Sequence, residues 1–94
     1  MTRNTARRNL KLFYVFEDHK MEKGYVEQCS PVTISTAKAV STALAALRMF
    51  EFKAFEYVIM RYERGVPLDR IEHMLKSDLT ELDAKAMDMI IKWG

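Results

Sequence analysis

Apolar side chains recur at three- and four-residue intervals through residues 35–94, and this periodicity is the clearest pattern along the chain. Ala37, Val40, Leu44 and Leu47 follow the spacing of one buried helix face, with Ser35 or Thr36 ahead of them as a hydroxyl cap. Phe52, Phe55, Val58, Ile59 and Tyr62 mark a second helix, closed by Gly65 as the glycine after its last turn. Pro67 suits the first turn of a third helix, with Leu68, Ile71 and Leu75 inward. Asp78 and Glu81 stand at capping-box spacing before a fourth helix, which carries Leu79, Leu82, Ala86, Met89 or Ile90, and Trp93. The pattern predicts helices close to 36–50, 52–64, 67–76 and 79–93. Their shared core should contain Leu44, Leu47, Phe55, Ile59, Ile71, Leu75, Leu82 and Trp93.

The first third of the chain is less decided. Residues 1–9 read as a flexible basic arm. Leu10 to Phe16 is too continuously apolar for its period to separate strand from helix, and Ser30-Pro31 interrupts whatever precedes it. Residues 10–34 therefore form either a helix or a β-hairpin, with helix slightly preferred for its residue types. The expectation is a single, mainly α domain with a C-terminal helix-turn-helix-like arrangement over residues 35–94.

Composition narrows the function. The chain has 94 residues, of which 49% are hydrophobic and 30% charged, enough for one modest core. The longest apolar runs fall far short of the roughly 18 residues of a membrane-spanning helix, so no membrane association is expected. No apolar signal core follows the basic N-terminus, and one cysteine, Cys29, gives no internal disulfide, so a cytoplasmic location is expected. The net charge of +2 is small but unevenly placed. Residues 1–11 carry Arg3, Arg7, Arg8 and Lys11 with no acid. Residues 66–94 carry Arg70, Lys76, Lys85 and Lys92 against Asp69, Glu72, Asp78, Glu81, Asp83 and Asp88.

Catalytic chemistry finds little footing. Asp69 and His73 lie four apart on one predicted helix face, but no third ligand stands at metal-binding spacing, so no metal is expected. Cys29 has no base near it in sequence. Gly24, Gly65 and Gly94 are scattered and make no phosphate-binding loop. A non-enzymatic protein without cofactors is expected. Most of Met49, Met60, Met74, Met87 and Met89 fall on or beside the inward stripes, and the group reads first as core filling, second as a plastic recognition groove.

The short helix "PLDRIEHMLK", a turn, and the longer helix "LTELDAKAMDMIIKW" have the layout of a helix-turn-helix, whose last helix enters the DNA major groove. Residues 35–94 resemble the helix-turn-helix half of bacteriophage late-gene antitermination proteins of the Q type, itself similar to region 4 of bacterial sigma factors. The likeness lies in the helix around Ala37 to Leu47, in Tyr62 and Gly65 as "YxxG", in Ile71 and Leu75, in Ser77 at the turn, and in the final "IIKWG"; "GYVEQCSP" is faintly similar to a segment upstream of that module. The resemblance implies transcription regulation in a bacterial host cell, with DNA and/or RNA polymerase as partner. Two positions depart from it: Glu72 where a small residue usually sits between the helices, and Lys76 where a glycine usually makes the turn.

On this reading DNA would be held by Arg7, Arg8, Arg61, Arg64 and Arg70, with Ser77, Thr80 and Lys85 at the module's tip. Asp78, Glu81, Asp83 and Asp88 on the last helix would repel phosphate. They motivate an alternative, an inhibitor of a host or defence nucleic-acid-handling complex, whose acidic helix engages a basic protein surface. The sequence leaves the oligomeric state open, with a homodimer among the options.

Overall fold

The computed structural model describes residues 1–93 and is mainly helical, with no strand among the described residues. Its order is α1 (Arg3–His19), α2 (Tyr25–Gln28), α3 (Pro31–Phe50), α4 (Phe52–Val58), a π turn (Ile59–Glu63), α5 (Leu68–Leu75) and α6 (Leu79–Trp93).

Residues 1–9 are not a flexible arm. Thr2 caps α1 by accepting the Thr5 amide at 3.1 Å, and the helix runs unbroken from Arg3. The cause is a buried stripe, Ala6, Leu10 and Phe13, at the 4-3 spacing of one helix face. The open choice over residues 10–34 resolves the same way, as the rest of α1, the single turn of α2 and the start of α3.

Ser30, not Ser35 or Thr36, caps α3; its Oγ accepts the Thr33 amide at 3.1 Å, and Pro31 occupies the first turn. The dipeptide that breaks the preceding segment also starts the longest helix, because proline's missing N–H is unneeded there. Gly65 closes the following helix in the left-handed conformation, φ 66°, with the Val66 amide bonded back to the Met60 carbonyl at 2.8 Å.

Helix α6 is the central strut. It packs against α1, α3 and α4, and it buries Leu82, Asp83, Ala86, Met87 and Ile90. Helix α5 is peripheral, resting on α4 and the π turn through Ile71 and Leu75.

Leu44, Leu47, Ile71, Leu75 and Leu82 occupy the core as their spacing predicts. Phe55 and Ile59 are only half-buried, and Trp93 and Leu68 are exposed. The second helix turns a different face inward. Ala54, Tyr57 and Val58 are buried, whereas Phe52 points out. Phe52 opens α4, where the chain has just left α3, and no neighbouring helix covers that corner.

Ile71 is fully buried where α5 meets the core. Ile71→Asp places an unpartnered carboxylate there and should abolish the cooperative unfolding transition in a circular-dichroism melt. An unchanged melt would refute the core assignment.

Candidate functional site

The one buried charged side chain among the described residues is Asp83, on the inward stripe of α6. Three elements converge on it. From α1, the Arg7 guanidinium donates two hydrogen bonds to Oδ2, through Nε at 2.9 Å and through Nη2. From α4, the Tyr57 hydroxyl donates to Oδ1 at 2.7 Å. From the π turn, the Tyr62 hydroxyl donates more weakly to Oδ1 at 3.4 Å, and Arg61 lies 3.6 Å away. Arg61 itself donates to the Tyr57 hydroxyl, so proton donation runs Arg61 to Tyr57 to Asp83.

The π turn explains how one helix supplies three of these groups. In an α-helix, residues five apart diverge by about 140° around the axis. The wider π turn draws Tyr62 onto the side already holding Tyr57 and Arg61. The Arg61 guanidinium sits 5.9 Å from the Tyr57 ring centroid and 5.2 Å from that of Tyr62. An uninterrupted helix over 52–64, as the sequence predicts, would aim Tyr62 elsewhere.

A second, exposed clamp lies further along α6. Arg3 grips Asp88 through Nε at 2.9 Å and Nη2 at 3.0 Å, and this hydrogen bonding lowers the Asp88 pKa from its ordinary value.

These contacts redistribute the residues expected to meet a partner. Arg7 and Arg61 are half-buried and committed to Asp83 and Tyr57. Lys85 lies between Glu51 at 3.6 Å and Glu81 at 3.5 Å. Ser77 is half-buried, accepting from Lys53 Nζ at 3.0 Å and donating to the Leu75 carbonyl. Arg8, Arg64 and Arg70 are exposed and make no ion pair with another described residue, and Thr80 is exposed at the start of α6.

Each of the four acids has an intramolecular role. Asp78 caps α6 by accepting the Thr80 amide at 2.9 Å, Glu81 pairs with Lys85, Asp83 is buried and Asp88 is clamped. The α5–α6 junction spans Lys76 to Asp78, with Lys76 in the left-handed conformation at φ 51°. It thus adopts the backbone for which glycine is the usual residue.

Sequence reasoning missed the Asp83 cluster. Asp83 sits at 3-4-7 spacing from Ala86, Met87 and Ile90, the one charged position on that stripe, which marks it as buried and in need of a cation.

Among the described residues no three of His, Cys, Asp and Glu gather as a metal site, and no helix is long and apolar enough to cross a membrane. No family model matches the chain, and no curated protein or solved structure matches it significantly. The fold and its surfaces alone therefore define its class: a small all-α domain.

Burial raises the pKa of Tyr57 and of Tyr62, and it pushes Tyr14 up from 10.0 to about 12. A raised folded-state pKa contributes stability that is complete below the unfolded value near 10 and is lost as pH climbs through the folded value. Stability should therefore hold up to about pH 10 and fall between about 10 and 12. Tyrosinate absorbance at 295 nm should rise together with the loss of helical ellipticity. Ionisation of all four tyrosines near pH 10 with helicity intact would contradict this environment.

Proposed function

We propose that the chain is a non-catalytic transcription regulator of the phage antitermination type, cytoplasmic in a bacterial host. Its α5–turn–α6 unit would dock on DNA and/or RNA polymerase. The observation that carries this reading is the junction itself. Eight-residue α5 and fifteen-residue α6 are joined by three residues, with Lys76 in the left-handed backbone that such a turn requires. The sequence resemblance over residues 35–94 supports the same unit and adds RNA polymerase as the protein it would meet.

Position and charge refine the contact set. The charged residues that α6 exposes are Glu81, Lys85, Asp88 and Lys92, and the first three pair within the chain. Phosphate contact then falls to Arg64 and Arg70, which are exposed and free of ion pairs with other described residues, with Thr80 at the helix start. Arg8 on α1 adds a more distant cation. Arg61 and Arg7 serve Asp83 instead.

The alternative, an inhibitor using the acidic helix against a basic protein, would need carboxylates that already cap, pair or lie buried. It is the weaker reading.

Removing Arg64 and Arg70 together should reduce the salt dependence of log affinity for duplex DNA by nearly two, at about 0.9 per phosphate contact. Arg61→Ala should leave that slope unchanged while lowering thermal stability. Fluorescence-anisotropy titrations over a range of salt concentrations read both. Absence of DNA affinity at low salt would remove DNA from the proposal. A stronger association of Glu81→Lys with DNA would support docking of α6 near phosphate.

A further inference from the structure

The corner between α3 and α4 exposes apolar surface that the fold leaves uncovered. Met49, Phe50 and Phe52 are 77%, 70% and 56% exposed, the densest group of large exposed apolar side chains in consecutive sequence. The surface continues along α4. Phe52 stacks on Phe55 with ring centroids 6.1 Å apart, and Phe55 opens a shallow cleft of about 150 Å³ shared with Glu56, Ile59, Met60 and Arg64. A small domain that displays neighbouring aromatic and methionine side chains is presenting an interaction surface.

The rim has a charge. The Arg48 guanidinium lies 6.0 Å from the Phe55 ring centroid, and Arg64 lines the cleft that Phe55 opens. Neither makes an ion pair with another described residue. Glu51, at the corner, is drawn off by Lys85 at 3.6 Å. Glu56 is the one carboxylate left in the cleft, set against two arginines. Phenylalanine, methionine and arginine, with carboxylates tied elsewhere, have the composition of an interface centre.

We propose that this groove docks an acidic amphipathic helix of a partner protein. Its apolar residues would fill the corner at Phe50 and Phe52 and the cleft at Ile59 and Met60, and its carboxylates would meet Arg48 and Arg64. From Phe52 to Arg64 the chain rises about 18 Å, which matches roughly three turns of a bound helix. A single nucleic-acid strand fits less well. Its backbone needs a row of cations, whereas the groove offers two; and Phe52 is already stacked on Phe55 rather than free for a base. Arg64 belongs to both surfaces, whereas Phe50, Phe52 and Arg48 lie outside the DNA contacts proposed above, so substitutions at these three test the groove independently of DNA binding.

The test is affinity selection on the full chain from a library of helical peptides randomised in sequence, with counter-selection on Phe50→Ser/Phe52→Ser. Enriched peptides should carry apolar residues at helical spacing flanked by Asp or Glu. Their affinity should fall about tenfold or more in that variant, as for an aromatic anchor, and several-fold in Arg48→Glu, as for a rim charge. Both sites are exposed, so both variants should melt close to the wild type. Arg48→Glu provides the reading should the double variant prove unstable. Enrichment of basic peptides, or of none, would overturn the proposal. So would a poly-uridine oligonucleotide binding wild type but not the variants, or a homodimer in sedimentation that Phe50→Ser/Phe52→Ser dissolves.

Discussion

A carboxylate cannot be stably buried without partners, and burial of Asp83 is the constraint on which the rest of this structure depends. Its two oxygens are satisfied by groups from three different elements: Arg7 on α1, Tyr57 on α4, and Tyr62 on the π turn. Non-directional packing of Ala6, Leu10 and Phe13 would hold α1 against the core at more than one register. The paired hydrogen bonds from Arg7 select one. The same demand accounts for the π turn, since Tyr57 and Tyr62 must share a side of the helix to reach the same oxygen. A buried ionic cluster of this kind is a weak source of net stability but a strict specifier of arrangement, because losing one partner leaves the others uncompensated.

The cluster also decides what the surface can offer. The basic run at the N-terminus and the acids of the last helix look like two reservoirs of charge for partners. Folding brings them together, with Arg7 on Asp83 and Arg3 on Asp88. What stays outside is of two kinds: the exposed cations Arg64 and Arg70 flanking α5, and the aromatic corner at Phe50 and Phe52. Arg70 suits an anionic group, the corner suits an apolar protein segment, and Arg64 borders the cleft beside that corner.

The helices from residue 36 onward were legible because each local signal agrees with the next. Gly65 takes the left-handed cap, Asp78 caps α6, and Ile71 and Leu75 face inward. The N-terminal helix was hidden by the apolar run from Leu12 to Phe16, which masks the stripe beginning at Ala6, and by reading Arg3 and Arg7 as solvated charge. On α4 two stripes compete. The more hydrophobic one, with Phe52, Phe55 and Ile59, won on periodicity, yet Ala54 and Tyr57 are the buried residues because Tyr57 must reach Asp83. That choice depends on α6, far along the chain, and no local pattern on α4 encodes it. The candidate site was legible as a list of charged residues, but not in which of them cancel.

The most direct test of the account is a double-mutant cycle on Arg7 and Asp83, measured by urea unfolding of the Arg7→Ala, Asp83→Ala and doubly substituted chains. Asp83→Ala alone should cost about 3–5 kcal/mol, because it breaks a buried hydrogen-bonded pair. Residues 76 positions apart in sequence should couple by at least about 1.5 kcal/mol if Arg7 holds α1 on α6 through Asp83. Additive effects, within about 0.5 kcal/mol, would mean that α1 is positioned by apolar packing alone and would contradict the account.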